Sequence, residues 1–296
     1  MHADFSPDAI WGFQGRDYSD KDFSAVPVGT MAAQTFDLAT RWPGQGGLPR
    51  GFDPAVFLET GKEPGLGIGD LHDRGIDGRG IAVAVFDKPI RRDHEEFEVA
   101  PVPDGPSMPA SRLIYHEVFD DEVGGRDFHF HGIAVASLLA GQTTGVAPAV
   151  TVHYFAVPDA GRNFHFYSLA AGQVIELNRV LPVDERIRLV VISDGIAADD
   201  PARDEWESAL ALLEGAATTV LYSGSPLLKE MVWGGCPPSR DRADPACYER
   251  ALHLCESKLA PQTLLVPGDY RTMAANESPD AYVYRGRGGW SWAIPY

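Results

Sequence analysis

The stretch Gly288-Gly289-Trp290-Ser291-Trp292-Ala293-Ile294-Pro295-Tyr296 sets a serine behind two glycines and ahead of a small residue and a proline. Glycines let backbone turn tightly and approach a ligand, and small residues with a nearby proline suit the first turn of a helix. A serine there presents its hydroxyl beside unpaired amides, an arrangement for attacking a carbonyl and holding the resulting oxyanion. The hydroxyl is a poor nucleophile until a base takes its proton. His131, heading His131-Gly132-Ile133-Ala134-Val135-Ala136-Ser137, has the right proton affinity near neutral pH. The imidazole in turn needs a fixed tautomer, which a carboxylate on its other nitrogen provides. Asp87, closing the run Ile81-Ala82-Val83-Ala84-Val85-Phe86, supplies one. The chain order Asp, His, Ser is one in which such a triad is built.

These groups need a scaffold that brings distant residues to one rim. Ile81 to Phe86 and Ile187-Arg188-Leu189-Val190-Val191-Ile192-Ser193 are mostly apolar runs, the pattern of strands buried on both faces. Val152 to Val157 and Thr218 to Tyr222 read as further strands. Helices are expected over Gly132–Gly141, Ser168–Val180 and Asp204–Leu213. Alternation of strand and helix predicts an α/β fold with a doubly wound, mostly parallel sheet and helices on both faces. Ligands of such sheets sit beyond the carboxyl ends of the strands. Asp87, Ser193-Asp194-Gly195 and Ser223-Gly224-Ser225 all fall there. Ahead of this, Asp53-Pro54 begins a helix that Gly61 is expected to end. Residues 1–50 read as an irregular arm and linker, and 51–296 as the main domain.

Composition narrows the function. The chain has 296 residues, 44% hydrophobic, enough for a full core. A net charge of −17 argues against nucleic acid as a partner. No apolar run is long enough to span a bilayer, and the start lacks the pattern of a secretory signal. The cysteines are three, Cys236, Cys247 and Cys255, an odd number within one loop-like region. This predicts free thiols in a reducing, cytoplasmic compartment, with secretion as the alternative. Metal ligation by the cysteines with His253, or by His129 and His131 with Asp93, His94, Glu95 and Glu96, is the lesser reading, so no metal is expected.

Several ordered segments resemble the subtilisin-like (S8) serine peptidases. Gly78-Arg79-Gly80 leading into Ile81–Asp87 is similar to that family's strand into its catalytic aspartate. His94 falls where the family often places a histidine. His131-Gly132 with Val135-Ala136-Ser137 resembles its HG-x-x-VA-S segment, and Gly145-Val146-Ala147-Pro148 its G-V-A-P turn. Ser193-Asp194-Gly195 resembles its S-x-G strand end, Val266-Pro267-Gly268 its A-P-G turn, and Gly289 to Pro295 its G-T-S-M-A-x-P nucleophile segment. The likeness spans about residues 66 to 296. It implies a serine endopeptidase with Asp87, His131 and Ser291 catalytic and the Ser291 amide in the oxyanion hole. Ser193, Asp194, Gly195, Ser223, Gly224 and Gly289 would line the cleft for a peptide or protein held extended. Calcium is common in the family, but no residues here can be assigned to it.

The departures are specific. Asp87 is followed by Lys88-Pro89 rather than Ser/Thr-Gly, both neighbours of Ser291 are tryptophan, and Ser225 stands where the family's oxyanion asparagine is expected. Only five residues follow Ser291, whereas the family's helix runs on, so a fragment or a second chain completing that helix is expected. These departures keep two alternatives in view: a catalytically weak or inactive peptide-binding pseudoprotease, and a protease dedicated to maturing one partner peptide.

Overall fold

The computed structural model describes residues 12–98, 112–119, 127–159, 164–197, 199–228, 231–250 and 264–296. In chain order the first elements are α1 (Val28–Ala32), β1 (Thr35–Asp37), α2 (Pro54–Lys62) and α3 (Ile68–Asp73). Then come β2 (Ala82–Asp87), β3 (Leu113–Glu117), α4 (Phe130–Ala140), β4 (Thr151–Ala156), α5 (His165–Val180), β5 (Ile187–Ile192), α6 (Arg203–Gly215) and β6 (Thr219–Tyr222). The last are β7 (Met231–Gly235), β8 (Glu249–Arg250), β9 (Leu264–Pro267), β10 (Arg271–Ala274), β11 (Tyr282–Arg285) and α7 (Trp290–Ala293).

The expected doubly wound architecture is present. Five strands form a parallel sheet in the order β3-β4-β2-β5-β6. β2 lies at its centre, which explains the unbroken apolar run: Val83 and Val85 face a core shared with α4, while Ala82, Ala84 and Phe86 face α5 and α6. Residues 132–140 of α4 are all buried, because the helix packs against the sheet on one side and β10 on the other.

One expectation about the first part of the chain changes. Asp53 caps α2 as read, its carboxylate accepting from the amides of Ala55 and Val56 at 3.0 and 3.2 Å. Gly61 does not end that helix; it lies inside it, where a Cβ would fall 2.3 Å from Thr272 Oγ1. The glycine serves close packing of α2 on β10. From residue 12 onward the first segment packs on the main body. β1 pairs antiparallel with β11, and Phe13, Tyr18, Phe23, Phe36 and Phe52 form an aromatic core with Tyr284.

The reading of the cysteines is corrected too. Cys236 and Cys247 are joined by a disulfide, closing the loop between β7 and β8. An odd count hid the pair, since pairing depends on tertiary proximity and not on number. Cys255 and His253 lie outside the described residues. The expectation of a reducing compartment loses the observation on which it stood. No helix among the described residues is long and apolar enough to cross a membrane. Reducing this disulfide should lower unfolding free energy by about 3 kcal/mol, the loop-closure value for a short cross-link. Denaturant unfolding with and without reductant measures it, and coincident curves would show that the loop is held by other contacts.

Candidate active site

Asp87 is the last residue of β2 and is 1% exposed. Its carboxylate meets His131 Nδ1 at 2.8 and 3.0 Å and accepts the Lys88 amide at 2.8 Å. Burial alone would raise the pKa of this carboxyl. The charge and hydrogen bond of His131, then the charge and amide of Lys88, overcome that and hold it below the usual carboxylate value. An ionised carboxylate only accepts, so His131 carries its proton on Nδ1 and leaves Nε2 as the basic nitrogen.

Gly132 makes that contact reachable. A Cβ there would lie 2.0 Å from the Tyr154 hydroxyl and 2.6 Å from the Lys88 carbonyl, so only glycine lets the start of α4 press against the end of β2. Tyr154 itself donates to the Lys88 carbonyl at 2.5 Å. His129 caps α4, its Nδ1 accepting the His131 amide at 3.3 Å. His94 accepts the Glu96 amide through Nδ1 and meets the Ala281 carbonyl at 2.8 Å through Nε2. These rings are engaged with backbone, and no group of three metal-ligating side chains occurs among the described residues.

Ser291 lies in α7, reached from β11 through extended Gly289. Its hydroxyl is not in the open. It donates to the Ser193 carbonyl at 3.2 Å, while the Ser193 hydroxyl donates back to the Ser291 carbonyl at 3.1 Å. The sheet thus brings the Ser291 segment to the end of β5. No hydrogen bond joins Ser291 to His131 among the described residues, but the adjacent Trp292 ring sits 5.4 Å from the His131 ring. Ser223 donates its amide to the Asp194 carbonyl at 3.0 Å, placing the ends of β5 and β6 side by side, with Gly224 following. Ser225 is buried at the start of the next turn, its amide donating to the Tyr222 carbonyl at 2.8 Å.

Three features were not legible in the sequence. Lys88 Nζ pairs with Asp194 Oδ2 at 3.2 Å and reaches the Tyr167 hydroxyl at 3.3 Å, tying the end of β2 to the cleft segment. Burial pushes the Tyr154 and Tyr167 phenols well above their ordinary pKa, so both stay neutral donors. Trp292 lies between His131 and the Arg285 guanidinium, which is 5.5 Å from the Trp292 ring and 4.9 Å from Phe130. Lys88 after Asp87 and the tryptophans beside Ser291 were visible departures, but their partners were not. A groove of about 1110 Å³, lined by residues such as Arg188 and Leu212, opens at the amino ends of β5 and β6. It is on the far rim from this chemistry.

A family model described as the subtilase family matches residues 78–224. No curated protein matches the chain. Among solved structures, the chain is similar to a PatG macrocyclase in complex with peptide (12% identity, 77% of this chain and 76% of that one, TM-score 0.50). It is also similar to the prenylagaramide maturation protease PagA (16% identity, 77% and 76%, TM-score 0.48). A third is a cold adapted subtilisin-like serine proteinase (18% identity, 74% and 72%, TM-score 0.43). At such identities a likeness speaks for the fold alone.

The Asp87 pairing has a consequence for acid stability. A carboxylate held lower in the folded than in the unfolded chain stabilises the fold fully above pH ~4. That contribution is lost as pH falls through the folded value. Unfolding free energy measured from pH 7 down to pH 2 should therefore fall more steeply in the wild type than in Asp87→Asn. Parallel curves would reject the pairing.

Proposed function

The chain is a member of the subtilase family over residues 78–224, and from that premise we propose that it is a serine endopeptidase acting through Asp87, His131 and Ser291. The observation that carries this reading is the buried Asp87 carboxylate on His131 Nδ1 at 2.8 Å, at the sheet rim where the Ser291 segment also ends. Ser291 Oγ attacks the scissile carbonyl, and His131 Nε2 takes its proton and passes it to the leaving amine. Asp87 holds the imidazolium. The acyl-enzyme is then hydrolysed by water through the same base. Rotating the Ser291 hydroxyl away from the Ser193 carbonyl frees it for His131, and catalytic hydrogen bonds of free enzymes often tighten only around substrate.

The substrate lies extended along Ser193, Asp194 and Gly195, with Ser223, Gly224 and Gly289 on the facing side, pairing backbone to backbone as an added strand does. Ser225 and the Ser291 amide face the oxyanion. A serine hydroxyl is a shorter donor than an asparagine amide, so this half of the hole is the weaker one.

A fluorophosphonate probe on the full chain should label Ser291 and should label neither Ser291→Ala nor His131→Ala. Peptide hydrolysis should fall by about 10⁴-fold in Asp87→Asn. Absence of labelling in a folded wild-type chain rejects the reading. The Ser291 hydroxyl on the Ser193 carbonyl favours a second reading, a peptide-binding pseudoprotease. It predicts peptide affinity without turnover, unchanged in Ser291→Ala.

Ser225→Asn separates the weak-enzyme reading from the inactive one. It should raise kcat by about 10²-fold, with KM little changed, as expected when an oxyanion donor is restored. No gain in kcat from a labelled, folded variant would show that Ser225 does not face the oxyanion.

A further inference from the structure

Two arginines lie deep in the protein without an ion pair among the described residues. Arg271 is fully buried and Arg242 is 3% exposed. Each guanidinium makes one hydrogen bond: Arg242 Nη1 to the Tyr270 carbonyl at 3.1 Å and Arg271 Nη2 to the Thr144 carbonyl at 2.9 Å. Nε and Nη2 of Arg242, and Nε and Nη1 of Arg271, are buried without a partner among the described residues. The Arg242 guanidinium lies at the backbone of Arg271, since the carbonyl it holds is peptide-bonded to that residue, and its charge is felt by the Arg271 guanidinium. Burial, and then the charge of Arg242, push the Arg271 pKa down to about 9.

Among the described residues, neither guanidinium has a carboxylate within ion-pair distance. The Tyr248 and Tyr296 hydroxyls spend their protons on the Arg242 and Gly65 carbonyls, at 3.0 and 2.9 Å. Burial raises both phenols above the ordinary tyrosine pKa, so they stay neutral. Glu63, the carboxylate whose field reaches Arg271, is exposed. A buried cation without a counter-ion costs several kcal/mol or more, and a guanidinium does not escape by losing its proton.

We infer that Arg242 and Arg271 form a buried receptor for one small monovalent anion of the chloride class, bound by their unpaired N–H groups. A monovalent ion is favoured over a phosphate because the cost of taking an ion out of water into so buried a site rises steeply with its charge. The site has a mechanical role. Arg271 opens β10 directly after Tyr270, a non-glycine residue at φ +56°. The turn before it carries the nucleophile segment: Asp269 Oδ1 accepts the Gly288 amide at 2.6 Å, and a Cβ on Gly288 would fall 1.8 Å from the Gly268 carbonyl. The anion fixes the side of this turn that faces away from Ser291.

Thermal unfolding of the full chain tests this, with sodium gluconate replaced stepwise by sodium chloride at constant ionic strength. Melting temperature should rise and saturate, by on the order of 5 °C once chloride is a hundredfold above its dissociation constant. Arg271→Met should abolish the saturating rise. If that variant does not fold, Arg242→Lys, which keeps the charge and loses the fork of donors, should weaken the apparent chloride affinity at least tenfold. Bromide-soaked crystals should give an anomalous peak between the two guanidiniums. A flat or non-saturating response in the wild type, a response retained in the variants, or a bromide peak only elsewhere as an adventitious ion would overturn the proposal. Ser291→Ala should keep the full response, so the anion site and the peptidase reading stand or fall separately.

Discussion

A buried carboxylate cannot exist here without a cation or donors to meet it, and that constraint organises the centre of the molecule. Asp87 sits at the carboxyl end of the middle strand, walled by Phe86, Tyr154 and Tyr167. It is kept ionised by His131 on one side and the Lys88 amide on the other. Everything that brings α4 to this spot follows from the need: Gly132 for the approach, His129 for the cap, and a helix apolar on all sides to fill the space behind. The imidazole tautomer is then a by-product of charge compensation in a dry site.

Much of this was readable from residue order. The central strands declare themselves because a parallel sheet covered on both faces tolerates few polar residues. The strand ends therefore located Asp87, Ser193 and Ser223 on one rim before any coordinates did. The helices were found within a few residues; Asp204–Leu213 extends to Arg203–Gly215. What stayed hidden depends on contacts between distant segments. The Lys88–Asp194 pair spans 106 residues. Cys236 and Cys247 gave no sign of pairing over Cys255. A three-residue strand such as β1 is too short to carry a period. The hydroxyl of Ser291 was expected to be free because the carbonyl that takes it, that of Ser193 just past β5, lies almost a hundred residues earlier.

Charge is distributed unevenly for a chain of net −17. The acidic groups are mostly at the surface, while Arg242, Arg271 and Arg285 are buried. Arg285 lies over the aromatic rings of Phe130 and Trp292, whose negative faces attract its cation. The tryptophan after Ser291 thus has two duties, covering His131 on one side and receiving a cation on the other. A smaller residue there would leave both neighbours differently solvated.

The pairing of β1 with β11 sets a condition on how the molecule comes into being. Thr35 lies opposite Arg285, so an early-synthesised strand waits for one made some 250 residues later. Long-range closure of this kind is slow, since loop entropy must be overcome before the contacts repay it. β11 runs within six residues into Ser291. The Ser291 segment follows directly from the strand whose pairing closes this long loop, so the rim it shares with the end of β5 and the closure itself form together.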